Sequence, residues 1–132
     1  MKATAFSSLL LLFLAGAGCT PTTGPQVPYG PPPEAFTLEQ NFPNPFTDST
    51  HVRFGAPANG GYNSEMSVVV YDSYESQVRI LYHTYNASPG MYLTTWDGRD
   101  DDYRLVPGGV YIIELRGYSP MTAIKRVIAI KR

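Results

Sequence analysis

Four aspartates lie close together in the second half of the chain, and their carboxylates are the first candidates for chemistry: Asp97, Asp100, Asp101 and Asp102. Carboxylate oxygens bind Ca²⁺ when several of them converge on one ion. A calcium loop alternates acidic residues with others, and Gly98 and Arg99 break that alternation. We therefore predict no bound metal or other cofactor, and expect these carboxylates to accept hydrogen bonds from the backbone N–H groups of a turn. The alternative is a weak metal site at Asp97, Asp100 and Asp101.

The two histidines are the next candidates, because imidazole is the side chain that most readily transfers protons near neutral pH. His51 and His83 each lie in a run that is typical of a strand, and neither is surrounded by a catalytic or metal-binding motif. The glycines cluster at turns and form no phosphate-binding loop. These patterns predict a protein that is not an enzyme.

Cys19 is the only cysteine, and its thiol could carry a lipid. A basic residue, the apolar run Leu9–Leu14 and a stretch of small residues precede it, which is the pattern of an export signal. The segment resembles a bacterial lipoprotein signal, in which the cysteine is lipidated and becomes the first mature residue, although Gly16 stands where that pattern usually has Leu. The alternative is ordinary cleavage after an Ala-Gly-Ala sequence. Lipidation would account for a lone thiol in an exported chain.

The bulk composition suits one small exported domain. The chain has 132 residues, 43% of them hydrophobic, and a formal net charge of −1, which gives no reason to expect nucleic-acid binding. We predict a signal peptide over 1–18, a Pro/Thr/Gly-rich extended spacer over 19–35 and a folded domain over 36–132. The apolar run is too short for a bilayer-spanning helix, which needs about 20 residues. Any membrane attachment is therefore expected through the lipid alone.

Seven short strands are predicted in the folded part, because β-branched and aromatic runs alternate with turn clusters such as Pro89-Gly90 and Pro107-Gly108-Gly109. They lie near 36–40, 50–55, 65–72, 77–85, 91–97, 109–117 and 122–131. In the last third of the chain Gly, Pro and Asp interrupt every window that is long enough for a helix. The pattern predicts an all-β, Ig-like antiparallel sandwich, with a flexible loop over 59–63.

Alternation within the strands predicts which residues form the core. Val52 and Phe54 share one face of the second strand, and Tyr92, Thr94 and Trp96 share one face of the fifth. Trp96 is the only tryptophan. We therefore predict that it anchors the core rather than stacking on a ligand.

A series of short segments occurs in a fixed order between Phe36 and Arg132: Leu38–Phe46, Ser49–Phe54, Val70–Asp72, Trp96–Asp101, Val106–Tyr111 and the basic-apolar terminal strand. Together they resemble the flagellar-hook-capping-type Ig-like domain and the related C-terminal sorting domain of type IX secretion cargo. The resemblance implies an Ig-like fold and a role in protein assembly or export. It departs from the family at Asp48, where Pro is frequent, and at Glu75 and Tyr103, where Gly is frequent. Because glycine in such turns supplies a positive φ, we expect altered turns, longer loops or strain at Glu75 and Tyr103.

Two of these segments are candidates for recognition by export machinery. The prolines of Asn41–Phe46 exclude it from a strand ladder, and its two phenylalanines are expected to cap one end of the core. The alternative function of this segment is a rigid corner of the fold. The terminal strand is either a sorting signal that pairs with a receptor strand or an edge whose charges block pairing. The candidate recognition residues are Asn41, Pro43, Asn44, Pro45, Gly109, Val110, Tyr111, Lys125, Arg126 and Lys131.

The sequence favours an exported, non-enzymatic Ig-like module that binds envelope or secretion-machinery proteins. We expect a monomer, lipid-anchored at the outer membrane or cell surface, with a periplasmic or secreted location as the alternative. The alternative function is a type IX sorting domain that directs export and surface attachment. It is disfavoured because only a spacer, and no cargo, lies between Cys19 and Phe36. A hydrolase or metal-dependent enzyme lacks the residues it would need.

Overall fold

The computed structural model describes residues 28–58, 64–118 and 121–132. Within these ranges seven strands pair into two antiparallel sheets and no helix occurs, so the predicted all-β sandwich is confirmed. The strands are β1 Thr37–Leu38, β2 Thr50–Ala56, β3 Glu65–Asp72, β4 Gln77–Thr84, β5 Gly90–Trp96, β6 Gly109–Tyr118 and β7 Thr122–Lys131. The predicted signal peptide, Cys19, the first part of the spacer and the predicted loop over 59–63 lie outside the described residues.

The smaller sheet has the order β1-β2-β5 and the larger sheet the order β4-β3-β6-β7. Successive side chains of a strand point to opposite faces, so every second residue enters the space between the sheets. On β2 these residues are Val52 and Phe54, and on β3 they are Met66, Val68 and Val70, all fully buried. The face predicted for β2 therefore lies in the core, and alternate residues of β3 pack in the same core.

Two tyrosines near the starts of β5 and β6 each donate a hydrogen bond to the carbonyl four residues earlier. The hydroxyl of Tyr92 donates to the carbonyl of Ser88, and that of Tyr111 donates to the carbonyl of Pro107 at 2.5 Å. Burial, followed by the neighbouring Tyr82, raises the pKa of Tyr92 to about 12. The phenol therefore stays protonated at neutral pH and keeps its donor.

Gly117 lets the residue before β1 close the sandwich. It lies on the inner face of β6, and a Cβ placed there would come within 2.5 Å of two ring carbons of Phe36. Phe36 is buried against the core in that space. Because residue 117 has no side chain, the ring of Phe36 can pack at this position.

Candidate interaction surface

Four of the segments that carry the family resemblance meet at one end of the sandwich, which we call the motif end: Asn41–Phe46, Trp96–Asp101, Val106–Tyr111 and Ile128–Arg132. Their aromatic residues form its centre. The ring of Trp96 lies 5.3 Å from that of Phe46 and 5.1 Å from that of Tyr111, and all three are buried. The Nε1 of Trp96 donates to the carbonyl of Arg99 at 2.9 Å, which fixes the following turn to the core. Segments far apart in sequence are thus held by one aromatic cluster.

Asn44 closes part of the outer edge of β7. Its Nδ2 donates to the carbonyl of Ile128 at 3.0 Å, and its Oδ1 accepts from the N–H of Ile130 at 2.8 Å. The backbone of Phe46 continues the pairing, accepting from Arg132 and donating to Ile130 at 2.9 Å each. A side-chain amide carries an N–H donor and a carbonyl acceptor on the same carbon and can therefore bond to an N–H and a C=O of a strand edge at once. Asn44 therefore takes the place of a neighbouring strand, and the two candidate recognition segments form one structural unit.

Asn41 is buried inside this corner rather than displayed on it. Its Nδ2 donates to the hydroxyl of Thr50 at 2.9 Å, and that hydroxyl donates to the carbonyl of Pro43 at 2.8 Å. Its Oδ1 accepts from the Nε2 of Gln40 at 2.7 Å. Every polar atom of this small buried cluster thus has a partner.

The expectation that both phenylalanines of this segment cap the core is wrong for one of them. Phe46 is buried, but Phe42 is 75% exposed. The N–H and C=O of Phe42 pair with the backbone of His51. Neighbours on an extended chain point to opposite faces, so this pairing is compatible with a side chain directed to solvent.

The aspartates of the Trp96–Asp101 segment organise the backbone. Asp97 accepts from the N–H of Arg99 at 3.1 Å, and Asp100 accepts from the N–H groups of Asp102 and Arg104 at 2.9 and 3.0 Å. These are the turn contacts that the sequence predicted for the carboxylates. In the part of the chain that the structure describes, no group of three or more acidic, histidine or cysteine side chains is arranged to hold a metal ion.

Asp101 closes the opposite edge of the larger sheet. Its N–H donates to the carbonyl of Val78 at 2.9 Å, and its carboxylate accepts from the N–H of Ile80 at 2.9 Å. Gln77 donates to the other carboxylate oxygen at 3.0 Å. Asp101 therefore occupies the backbone groups at the open edge of β4 near its start, just as Asn44 occupies those of β7 near its end. Antiparallel pairing brings these two strand ends to the same end of the sheet.

The charge of Asp100 should make the stability of this turn depend on pH. Its hydrogen bonds from the backbone, that of Arg104 first, lower its pKa in the folded state. A depressed pKa stabilises the fold above the unfolded value of about 3.9, and this contribution is lost as pH falls through the folded pKa. We expect Asp100→Asn, which keeps an acceptor but no charge, to lower Tm at neutral pH. The difference from the wild type should shrink as the pH falls.

Thermal melts of both proteins between about pH 7 and about pH 2 test this expectation. Asp102→Asn is the matched control, because the Asp102 carboxylate accepts no hydrogen bond within the described ranges. A Tm difference for Asp100→Asn that stays constant over the whole pH range would contradict it.

Glu75 and Tyr103, two of the three positions at which the sequence departs from the family it resembles, occupy the same position in two equivalent turns. In each turn an aspartate accepts from the N–H groups two and four residues later, Asp72 in the first and Asp100 in the second. The residue three positions after the aspartate has a left-handed backbone, with φ of 65° at Glu75 and 63° at Tyr103. The turns are therefore kept, and the strain lies in two side-chain-bearing residues at positions that favour glycine.

Replacing Glu75 by Gly should stabilise the domain by about 0.5–1 kcal/mol, because relief of the left-handed strain exceeds the added entropy of the unfolded chain. Ser73→Gly in the same exposed turn is the matched control, since Ser73 does not have a positive φ. Urea unfolding of both variants measures the effect, and the control should be slightly destabilised. Equal destabilisation of the two variants would show that position 75 carries no strain.

β7 places its larger aliphatic side chains outside. Ala123, Val127 and Ala129 face the core, while Ile124, Ile128 and Ile130 are exposed on the outer face. The strand is apolar on both faces, so hydrophobicity alone does not decide which face is buried. The space available next to β6 accommodates the smaller side chains, and these face inward.

The outer face at the motif end carries an exposed aliphatic patch, which we call the β6–β7 patch: Val110, Ile112, Ile128 and Ile130. Val110 pairs with Ile130 and Ile112 with Ile128 across the two strands. The exposed fractions of Val110, Ile128 and Ile130 are 48%, 49% and 39%, and Ile112 is half-buried. Four contiguous aliphatic side chains facing solvent on a sheet are typical of a contact surface.

A buried carboxylate borders this patch. Glu114 is only 4% exposed although it lies on the outer face of β6. Arg126 Nε donates to it at 2.8 Å and Arg116 Nη2 at 3.3 Å. The hydrogen bond from Arg126 to Glu114 raises the pKa of Arg126. Two half-exposed guanidinium groups surround this carboxylate, and Glu75 adds a second carboxylate near Arg126.

A shallow pocket of about 160 Å³ opens beside this ion-pair cluster, lined by Tyr71, Glu75, Ile112, Glu114, Arg116 and Arg126. Small-molecule sites usually have volumes of about 300–1,000 Å³. The pocket is thus too small for a drug-sized ligand.

Burial separates the candidate recognition residues into two groups. Asn41 and Tyr111 are buried and belong to the framework, which excludes them from a surface that a folded partner could touch. The other described candidates are at least partly accessible: Pro43, Asn44, Pro45, Gly109, Val110, Lys125, Arg126 and Lys131. Trp96 is fully buried, as expected of a core anchor. The sequence analysis did not identify Glu114 and Ile112 as surface-site residues, nor which face of β7 points outward. The alternation of residues along a strand defines two faces but does not show which of them is buried.

Comparison of the sequence with protein-family models and with curated proteins gave no significant match. Over the described ranges, there is no helix of the length and apolar character needed to cross a lipid bilayer.

Proposed function

We propose that this chain is an exported, non-enzymatic Ig-like module that binds other proteins of the cell envelope and is tethered there by a lipid on Cys19. The observation that carries the proposal is the exposed β6–β7 patch at the motif end. An aliphatic surface on a sheet costs free energy while it faces water, and covering it recovers roughly 25 cal/mol per Å². A partner protein that covers the patch would gain this contribution.

The framework under the patch favours a rigid contact surface. Asn44 closes the edge of β7 beside the patch, and Asp101 closes the edge of β4 on the far side of the same sheet. Trp96 packs the motif end from within. Partners that bind preformed surfaces avoid the cost of ordering them. The surface is thus ready for protein–protein contact without rearrangement.

The polar side chains that could act in catalysis have structural partners, which supports a non-enzymatic role. His51 Nδ1 lies 3.0 Å from the hydroxyl of Thr95, and His83 Nε2 lies 3.4 Å from the carboxylate of Glu65. Both pairs are cross-strand contacts at the surface. Neither arrangement combines a nucleophile, a base and an orienting group.

Site-specific photocrosslinking in cells tests the proposed contact. A photoreactive residue at Ile128 should crosslink to a defined envelope protein. The same residue at Leu93, a comparably exposed aliphatic position on the other sheet, should not. Identical crosslinking at both positions, or none at Ile128 with the protein correctly exported, would refute the β6–β7 patch as the contact surface.

The mass of the N-terminal peptide from native membranes tests the anchor. A diacyl or triacyl mass on Cys19 would support a tethered lipoprotein. A plain peptide that begins before Cys19, or a chain cut within 20–35, would refute the tether and favour ordinary export.

The second candidate function is a type IX sorting domain. It is favoured by the hydrogen bonds that join Asn41–Phe46 to the terminal strand, since both segments carry the resemblance to that family. Fusing 34–132 to a reporter in a type IX secretion host tests this candidate. A reporter that reaches the cell surface, and is retained in a host lacking the translocon, would support sorting. A reporter retained in both hosts would exclude it.

A further inference from the structure

The edge of β7 is closed over half its length and open over the other half. In an antiparallel strand the N–H and C=O of one residue point to the same side, and the sides alternate along the chain. The carbonyl of Ile128 accepts from Gln40 and Asn44, and both groups of Ile130 and the N–H of Arg132 point to Asn44 and Phe46. The even-numbered residues Thr122, Ile124 and Arg126 therefore direct their backbone groups to the same outer side.

Within 28–58, 64–118 and 121–132, no hydrogen bond reaches these outward groups of Thr122, Ile124 and Arg126. An unpaired row of alternating donors and acceptors is a template for another strand. The closed half of the same edge already accepts Asn44 and Phe46 in this way. The geometry of β7 is thus competent for pairing along its whole length.

The charge around the open half selects the occupant. Lys125, Arg126 and the neighbouring Arg116 are exposed, and from Arg116 to Arg132 the sequence has five basic residues and no acidic one. Two carboxylates lie near the arginines, Glu114 buried between them and Glu75 beside Arg126. Lys125 adds a third positive charge, so the positive charges still exceed the negative ones. A second copy pairing through this edge would oppose its own lysine and arginine, which disfavours pairing between like charges. An acidic strand would be attracted.

Basic edge residues often serve only to prevent pairing. At the motif end, however, this sheet closes its edges with Asn44 and Asp101, and at Thr122–Arg126 it has no such closure among the described residues. Ile124 lies within the open stretch and Ile128 just beyond it, with exposed fractions of 46% and 49%. They offer apolar contact on either side of Arg126 to an added strand.

We propose that the open edge at Thr122–Arg126 binds an extended segment of a partner protein, added as a fifth strand, in which acidic residues face Lys125 and Arg126 and apolar residues face Ile124 and Ile128. The inference rests on the proposed function and deepens it, because it gives the chemistry of the partner segment. It can fail while the proposed function stands, since the β6–β7 patch is tested separately by crosslinking.

The probe is the labelled peptide acetyl-Ser-Val-Glu-Glu-Glu-Val-Ser-amide, whose symmetric sequence suits either strand direction. Fluorescence anisotropy with the full chain in detergent micelles should show binding that weakens with added salt. A peptide with Lys in place of Glu, and one with N-methylated alternate amides, should not bind. Hydrogen–deuterium exchange should slow in 122–128 when the acidic peptide is bound.

Ile124→Pro removes an outward N–H but none that faces β6, so the fold should persist while affinity falls about tenfold or more. Lys125→Glu should also weaken binding, whereas Arg104→Glu makes the same charge change in the exposed turn beyond β5 and should not. Unchanged affinity for Ile124→Pro, equal binding of the N-methylated peptide, or protection outside 122–128 would overturn the proposal. So would a dimer of the chain protected at 122–128, which would make a second copy the occupant.

Discussion

Trp96→Ala is expected to lower the free energy of unfolding by about 3–5 kcal/mol, which is most of the stability of a domain this small. Trp96 is fully buried between the rings of Phe46 and Tyr111. Truncation removes both ring contacts, leaves a cavity between the sheets and removes the shorter of two hydrogen bonds to the Arg99 carbonyl, which then keeps only the one from Arg79 Nη1 at 3.3 Å. Circular dichroism during urea unfolding measures the loss without depending on tryptophan fluorescence.

Two control variants separate the cavity from the hydrogen bond. Trp96→Phe keeps an aromatic ring but loses the Nε1 donor, so its loss should be clearly smaller. Tyr74→Ala removes an aromatic side chain that is 88% exposed and should leave the midpoint unchanged. A Trp96→Ala protein with the wild-type midpoint would show that the motif end does not depend on this ring.

Asn41→Ala is expected to cost about 2–3 kcal/mol, the second largest effect. The substitution removes a buried amide that bonds to Thr50 and Gln40 and leaves a small cavity at the corner before β2. The expected result is a lower midpoint for urea unfolding with an unchanged slope. If Asn41 instead served only recognition, stability would not change.

Asn44→Ala and Thr50→Val are the matched variants for this prediction. Asn44 makes its bonds at the accessible edge of β7, where water can replace them, so we expect a loss of only about 1 kcal/mol. Thr50→Val keeps the side-chain volume and removes the hydroxyl that links Asn41 to Pro43. Losses that rank Asn44→Ala above Asn41→Ala would contradict the buried cluster.

The strand pattern could be predicted closely because it depends on local chemistry. Period-two alternation and turn clusters gave seven strands, and the bounds of β3 and β7 agree with the structure. Asp72 and Asp100 lie in short hairpin-type turns whose carboxylates bond to nearby N–H groups, which is also a local effect. The ends of the predicted strands were less reliable. The first strand was predicted near 36–40, whereas β1 has only two residues.

The candidate surface could be predicted only in part. Asn41 and Asn44 stand three residues apart and are similar in sequence, but one is buried and the other closes a sheet edge. Their difference depends on β7, more than 80 residues away in the chain. Ile128 and Ile130 belong to an ordinary strand pattern, and only the pairing with β6 shows that they face water.

The sequence by itself determined the all-β class, the strand order along the chain and the positions of the turns, because these follow from residue propensities over a few neighbours. The tertiary structure decided that Asn41–Phe46 covers the end of β7, that Glu114 is enclosed by two arginines, and that the edge at Thr122–Arg126 stays open. Alternation identifies two faces of a strand but not which one is buried. That choice is made by the free energy of packing segments that are distant in sequence.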